Sequence, residues 1–396
     1  MMNGIKSSPC NMPYLPDDLL LNILGRVSRL YYPILSLVSK RFRSLVGSLE
    51  LYKIRTLLGR RTENCLYLSL RFSYGSNPRW FTLCRRPTRT PSPEPNLKSR
   101  WFTSCFRPIL TDRTRATSKE EKKLSENHMV SIPTSNYCPL SGLTCNTIGS
   151  YIYMIGGYIN GVLSSRVFFL DCRSHTWHEA PSMQVARKSP LMNVLDGKIY
   201  VVEGWRGSDY SNLIEIFDPK TQKWEHVPSP SAEMRGRYIS KGLVYEEKLY
   251  LFGDKNVVYK PKENRWDALG FNMNLWLVSY GSSCVIDNVC YMVFYKRLIW
   301  YDSEGRYWRV LKGLEKLPKL RHRRSCIRMV DYGGKIAILW EKKVRVVGSD
   351  KKMIWCAEIA LERRNAQEIY GKIEWCDVVL TVPKSCSLLE FIAVTI

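Results

Sequence analysis

His175 and His178 flank Trp177, and two imidazoles this close could share a metal ion if further nitrogen or sulfur ligands completed a tetrahedral set. Nothing completes the set. The 13 cysteines form no CxxC pair, and the two closest couples are Cys284/Cys290 and Cys138/Cys145. A copper oxidase centre would need convergent His and Tyr ligands together with a Cys crosslinked to Tyr. The chain has only five His, and His128 lies within a charged, low-complexity stretch read as a linker. Nor is there a Ser-His-Asp pattern, a phosphate-cradling glycine loop or an HExxH motif. The chemistry-bearing residues therefore predict no enzyme, no metal and no cofactor, and His175 and His178 are read as strand and turn residues at a sheet edge.

Binding is the remaining class, and charge is its first clue. The 60 Lys and Arg outnumber 36 Asp and Glu, giving a formal charge of +24. Such a field favours acidic partners, nucleic acid or anionic membranes. The basic residues are spread along the chain rather than gathered on one element with interleaved aromatics, which argues against nucleic acid. Two denser runs, Leu320–Arg328 and Arg85–Lys123, are solvated charge able to attract an acidic protein. No stretch approaches the ~18 apolar residues of a membrane span, and the first residues lack the apolar core of an export signal. With an odd cysteine count, these features predict a soluble protein of the cytoplasm or nucleus.

The elements that would carry a binding surface fall into two classes. Residues 14–60 have helical periodicity: Leu20, Ile23, Leu24, Val27 and Leu30 recur at spacings of three and four. Pro16 suits a helix entrance, and Asp17 and Asp18 suit the positive end of its dipole. After Pro33 a second stripe runs Leu35, Val38, Phe42, Leu45, and a third short helix follows Gly47. Three helices in fewer than ~50 residues bury little, so such a module leaves an apolar face for a partner or packs as a cap on the next domain. Leu19, Ile23 and Leu24 are assigned to internal packing.

Residues 61–87 hold two strands, NCLYLSLRF and RWFTLCRR. Residues 88–136 are rich in Pro, Ser, Thr and charge and read as a linker or surface insertion. Within the region Arg79–Pro87 recurs as Arg100–Pro108, identical at seven of nine positions. From 137 to 396 short apolar strands alternate with turns. Trp177, Trp224, Trp266, Trp308 and Trp355 follow at intervals of 47, 42, 42 and 47 residues. Seven positions before the first four stand Leu170, Phe217, Tyr259 and Tyr301, and Gly348 breaks the rule before the fifth. Gly157 and Gly204 each precede their Trp by 20 residues. A unit of this length cannot bury both faces of its own sheet, so successive units must radiate about an axis as a propeller. Open sheet edges are unfavourable. Pairing strands 64–72 and 79–86 with 376–382 and 388–396 would add a sixth blade and close the ring.

Leu15–Asp18, reading LPDD, with LSLVSKRFRSL at Leu35–Leu45, resembles an F-box, and the Gly156–Gly157, aromatic-Asp and Trp spacings resemble kelch repeats. Together they resemble the plant-type F-box/kelch-repeat proteins. The resemblance implies a small all-α F-box of three helices followed by an all-β kelch propeller, six-bladed. It also implies a function as substrate receptor of an SCF-type ubiquitin ligase. The F-box would bind a Skp-type adaptor, and through it a cullin-RING ligase, while the propeller binds an unidentified protein substrate. Leu15, Pro16, Leu35 and Val38 match adaptor-facing positions. Gly156, Gly157 and Gly204 match the kelch strand exits, and Trp177, Trp224, Trp266, Trp308 and Trp355 match fillers between blades. A kelch scaffold without ligase association, a basic nucleic-acid-binding propeller and a copper oxidase are the alternatives.

Overall fold

The computed structural model describes residues 15–59, 62–73, 75–85, 126–133, 142–159, 161–202, 214–234, 236, 238–269, 278, 281–318, 320, 327–343 and 350–396. The helices are α1 (Asp17–Gly25), a 3-10 turn (Arg29–Tyr31), α2 (Tyr32–Leu35), α3 (Lys40–Val46) and α4 (Leu49–Leu57). The expected second helix is two. Ser39 takes an extended conformation and its hydroxyl accepts the Phe42 N–H at 3.1 Å, so α3 starts afresh after a break at 36–39. Ser48 caps α4 in the same way, accepting from Leu51 at 3.3 Å.

Twenty-six strands follow among the described residues. β1 (Asn64–Arg71), β2 (Arg79–Arg85) and β3 (Asn127–Ser131) come first. The first complete blade is β4 (Thr144–Ile148), β5 (Tyr151–Ile155), β8 (Val167–Asp171) and β9 (Thr176–Ala180), with a small hairpin of β6 (Tyr158–Ile159) and β7 (Val162–Leu163) inserted. The second is β10 (Leu191–Leu195), β11 (Lys198–Val202), β12 (Ile214–Asp218) and β13 (Lys223–His226). The third is β14 (Ile239–Tyr245), β15 (Lys248–Gly253), β16 (Val257–Lys260) and β17 (Arg265–Ala268). The fourth is β18 (Ser283–Ile286), β19 (Val289–Phe294), β20 (Arg297–Asp302) and β21 (Tyr307–Val310). The fifth is β22 (Ile327–Asp331), β23 (Ile336–Lys343), β24 (Lys351–Asn365) and β25 (Glu368–Pro383). The sixth is ordered β26 (Ser387–Thr395), β1, β2, β3.

Turn chemistry explains the hairpins. Asp196–Gly197, Glu246–Glu247 and Asp287–Asn288 each place two consecutive residues at positive φ, the backbone that two-residue hairpins with the right twist require. The seven-residue spacing also acquires a cause. Leu170, Phe217, Tyr259 and Tyr301 lie directly across the outer hairpin from Trp177, Trp224, Trp266 and Trp308. The following Asp caps that turn: Asp171 accepts the Arg173 N–H at 2.9 Å and Asp218 the Lys220 N–H at 2.8 Å. Trp355 departs because it sits on the third strand, β24, stacked on Trp340 with ring centroids 6.0 Å apart.

The first strand of each blade lines the axis, and polar side chains clasp neighbouring blades there. Asn146 Nδ2 donates to the Met192 carbonyl at 3.1 Å. Lys241 Nζ donates to Val278 O at 3.0 Å, Gly281 O at 2.8 Å and Ser283 Oγ at 2.7 Å. The Met329 N–H donates to Ser282 Oγ at 2.7 Å. Gly242 is needed beside this ring, since a Cβ there would lie 2.3 Å from Asn193 Nδ2.

The ring does close between early and late strands, with three of the four expected strands and one different partner. β26 pairs with β1 from Asn64↔Thr395 to Arg71↔Ser387, and the backbones of Glu63 and Ile396 bond reciprocally at 2.7 and 2.9 Å. Residues 376–382 are not in this blade. They belong to β25, whose whole length is taken by β24. The fourth closing strand is instead β3, inside the stretch assigned to the linker, and it meets β25 edge to edge where Asn127 Nδ2 donates to Asp377 Oδ2 at 2.9 Å. The second copy of the duplicated segment and Arg321–Cys326 of the basic run lie outside the described residues.

Candidate functional site

The helical module buries one side of α1 and exposes the other. Leu20, Leu21 and Leu24 point inward onto Tyr32, Leu45, Val46 and Leu51. At about 100° per residue that choice turns Leu19 and Ile23 outward together, and Leu15, ahead of the N-cap, is exposed as well. Leu15 is 42% exposed and Leu19 and Ile23 are 52% exposed each, while Leu24 is buried. The assignment of Leu19 and Ile23 to internal packing is therefore wrong, and only Leu24 belongs inside. In the break before α3, Val38 is 61% exposed and Leu37 is exposed beside it. Pro16 is the exposed N-cap of α1. Leu35 is half-buried and packs on the helical core, so it contributes only partly to any outer face. Arg41 joins the two segments, donating from Nε to Asp17 Oδ1 at 2.7 Å and from Nη2 to the Leu15 carbonyl.

The module is fastened to the propeller by a charged cluster absent from the sequence expectations. Arg29 Nη2 donates to the Cys172 carbonyl at 2.7 Å, and its guanidinium lies 5.1 Å from the Tyr52 ring centroid. Tyr52 Oη donates to Arg173 O at 3.0 Å. The Glu63 carboxylate gathers the Ser28 hydroxyl, the Arg29 N–H at 3.0 Å and Arg55 Nη2 at 2.6 Å. Arg55 also donates to Val27 O at 2.9 Å. Cys172 and Arg173 stand in the turn between β8 and β9. The helical module thus covers the face of the ring that carries the first-to-second and third-to-fourth strand turns.

His175 belongs to this junction, within hydrogen-bond reach of Tyr67 Oη at 3.0 Å. Burial, helped by the Arg29 charge, pushes its pKa down to about 3, so it is neutral at any physiological pH. His178 is exposed and stacked on Phe169, with ring centroids 5.0 Å apart. The two rings serve different contacts. Among the described residues no cluster of three or more His, Cys, Asp or Glu is placed to hold a metal, and no helix is long and apolar enough to cross a membrane.

The kelch positions occupy blade junctions. Gly156 and Gly157 have φ of 71° and 83° at the exit of β5, and a Cβ on Gly156 would meet Arg187 O at 2.8 Å. Gly204 lies outside the described residues. Trp224 Nε1 donates to Pro181 O at 2.8 Å and Trp266 Nε1 to Pro228 O at 2.7 Å, each reaching the segment between its own blade and the preceding one. Trp177 packs edge-on against Trp80, with centroids 6.3 Å apart. Trp266 is buried, whereas Trp177, Trp224, Trp308 and Trp355 are half-buried.

Comparison with known proteins agrees with both modules. The F-box domain family matches residues 12–54, and the FKB95 kelch-repeats domain family matches residues 101–380. An Arabidopsis thaliana F-box/kelch-repeat protein is 97% identical over 396 residues, covering 100% of both chains. A second from the same plant is 64% identical, covering 98% of this chain and 99% of the relative, and a third is 46% identical over 97% and 94%.

Proposed function

Because the chain belongs to the F-box/kelch-repeat family, we propose that it is the substrate-recognition subunit of an SCF-type ubiquitin ligase. In this reading it has no catalysis of its own and works in the cytoplasm or nucleus. Its F-box docks a Skp-type adaptor, and through it a cullin-RING ligase, while its propeller holds the protein to be ubiquitinated.

The observation that carries the reading is the outward apolar stripe Leu15, Leu19, Ile23 with Leu37 and Val38. Five large apolar side chains on one side of a small domain are unfavourable in water unless a partner covers them. The scaffold alternative has the module acting only as a cap on the propeller. That role is already filled by Arg29, Tyr52 and Glu63 on the other side and leaves the stripe without a use. The substrate falls to the propeller face opposite the F-box. There the β6–β7 hairpin exposes Val162 and Leu163, and Tyr238 and Tyr295 are exposed from the third and fourth blades.

Central anchors of an interface typically cost ~2 kcal/mol or more when truncated, and ~1.4 kcal/mol is tenfold in affinity. The triple change Leu19→Ala, Ile23→Ala, Val38→Ala should therefore weaken adaptor binding at least tenfold in a titration with purified adaptor. The melting temperature should hold, because these side chains support nothing inside the fold. Undiminished affinity, or no adaptor binding by the unaltered protein, would remove the assignment.

A further inference from the structure

A cavity of about 690 Å³ opens between the underside of the F-box and the outer strands of the last two blades. Its size lies within the range of small-molecule sites. The walls are mainly apolar, with Phe81 and Leu83 from β2, Met129 from β3 and Val378 and Leu380 from β25 facing Pro33 and Val46 of the helical module.

The charged residues lining it are Arg29, Arg43 and Arg173, and no Asp or Glu is among them. Arg173 is neutralised by Asp171, at 2.7 Å. Arg29 is not. Glu63, the carboxylate beside it, is ion-paired with Arg55 at 2.6 Å, so this cluster of two guanidiniums and one carboxylate is one positive charge in excess. Arg29 is only 7% exposed and its Nη1 has no hydrogen-bond partner. A buried donor left in this state is costly, and an acceptor arriving in the cavity would relieve it. Arg43 stands at the mouth, exposed, with Nε donating to Ser36 O at 3.3 Å.

We propose that this cleft binds a small amphipathic anion, a carboxylate or sulfonate on an aromatic or hydrocarbon body, with its charge toward Arg29 and Arg43 and its body against Phe81, Leu83 and Val378. An oxyanion matches the two guanidiniums, and the apolar remainder matches walls that a free inorganic ion would leave wet. The occupant touches both modules at once, so binding stabilises their junction. The proposal stands independently of the ligase reading.

The probe is 1-anilinonaphthalene-8-sulfonate, with its uncharged analogue N-phenyl-1-naphthylamine, titrated by fluorescence into the folded full-length chain. The sulfonate should bind more tightly than the neutral analogue and should raise the melting temperature with concentration. Arg43→Gln should lower sulfonate affinity about tenfold, the loss of one charge-assisted contact, and leave the neutral analogue unchanged. Val378→Trp, which fills the cavity without touching charge, should weaken both probes. Equal binding of the two probes, or an Arg43→Gln variant with undiminished sulfonate affinity, overturns the proposal. So does binding that appears only after residues 88–123 are deleted, since the chain's own segment would then be the occupant.

Discussion

Removing residues 387–396 takes away the whole of β26, the innermost strand of the closing blade. β1 loses a ladder running from Asn64↔Thr395 to Arg71↔Ser387, and the core loses the buried side chains Leu388, Phe391, Ile392, Val394 and Ile396. At roughly 1.5–3 kcal/mol for each fully buried side chain, the loss is roughly 7–15 kcal/mol as an upper estimate. The whole stability of a typical domain is about 5–15 kcal/mol. The truncated chain is therefore expected to lose its cooperative thermal transition rather than melt a little earlier. Phe391→Ala provides the graded version. This ring packs between the last two blades, and its loss should cost about 3–5 kcal/mol, lowering the melting temperature by roughly 10 °C while the transition stays cooperative. Calorimetry and limited proteolysis of the two variants test this. An unchanged melt after the deletion would refute closure by β26, and a larger effect from the point substitution than from the deletion would refute the strand's role as the clasp.

Trp224→Phe should destabilise by about 1 kcal/mol because Nε1 gives up its bond to Pro181 O, whereas Trp355→Phe should cost less, its Nε1 having no partner; chemical denaturation compares the two. Glu215, fully buried, holds Arg187 at 2.8 Å and the Gln184 N–H at 2.7 Å, so Glu215→Ala should cost about 3–5 kcal/mol by removing the carboxylate paired with a buried guanidinium. Burial on the axis pushes Glu390 up to about 7 from its ordinary 4.5, against the pull of Arg328. Its contribution is thus fully present below pH ~4.5 and lost as pH rises through about 7, so Glu390→Gln should be more stable than the unaltered protein by about 3 kcal/mol at pH 8 and equal to it at pH 4. A variant no more stable at pH 8 would show that Glu390 is solvated.

What the sequence made legible was local. The Trp residue and its partner seven positions earlier are joined by one hairpin, so their spacing is a direct record of register, as Tyr259 opposite Trp266 illustrates. Trp355 had the right period and the wrong strand, because the long β24–β25 hairpin puts Trp375 on the fourth strand instead, with Nε1 donating to Glu358 at 2.6 Å. β3 escaped notice because five residues, NHMVS, preceded by a charged run carry too little alternation to register as a strand. Leu19 and Ile23 were misplaced for a related reason: periodicity locates an apolar stripe but not which stripe faces the core, and α1 has two. The bond from Arg29 to Cys172 spans 143 positions and leaves no trace in any local pattern.

That bond nevertheless determines how the two modules work together. A short helical domain tethered by a flexible segment would swing, and the distance from its exposed apolar stripe to the opposite face of the ring would vary with it. Here the segment joining α4 to β1 is brief, and Glu63 sits between Arg29 and Arg55 where the helices meet the closing blade. Opening the junction would strip the buried Arg29 guanidinium of the Cys172 carbonyl and part Arg55 from Glu63, a loss of the order of 3–5 kcal/mol for a buried charged contact. The closed arrangement is therefore the dominant one. The F-box covers the turn-bearing face of the ring at the seam between the last and first blades, and that seam is also where β26 completes the propeller. Damage to closure must then reach the exposed apolar stripe of the helical module as a loss of orientation.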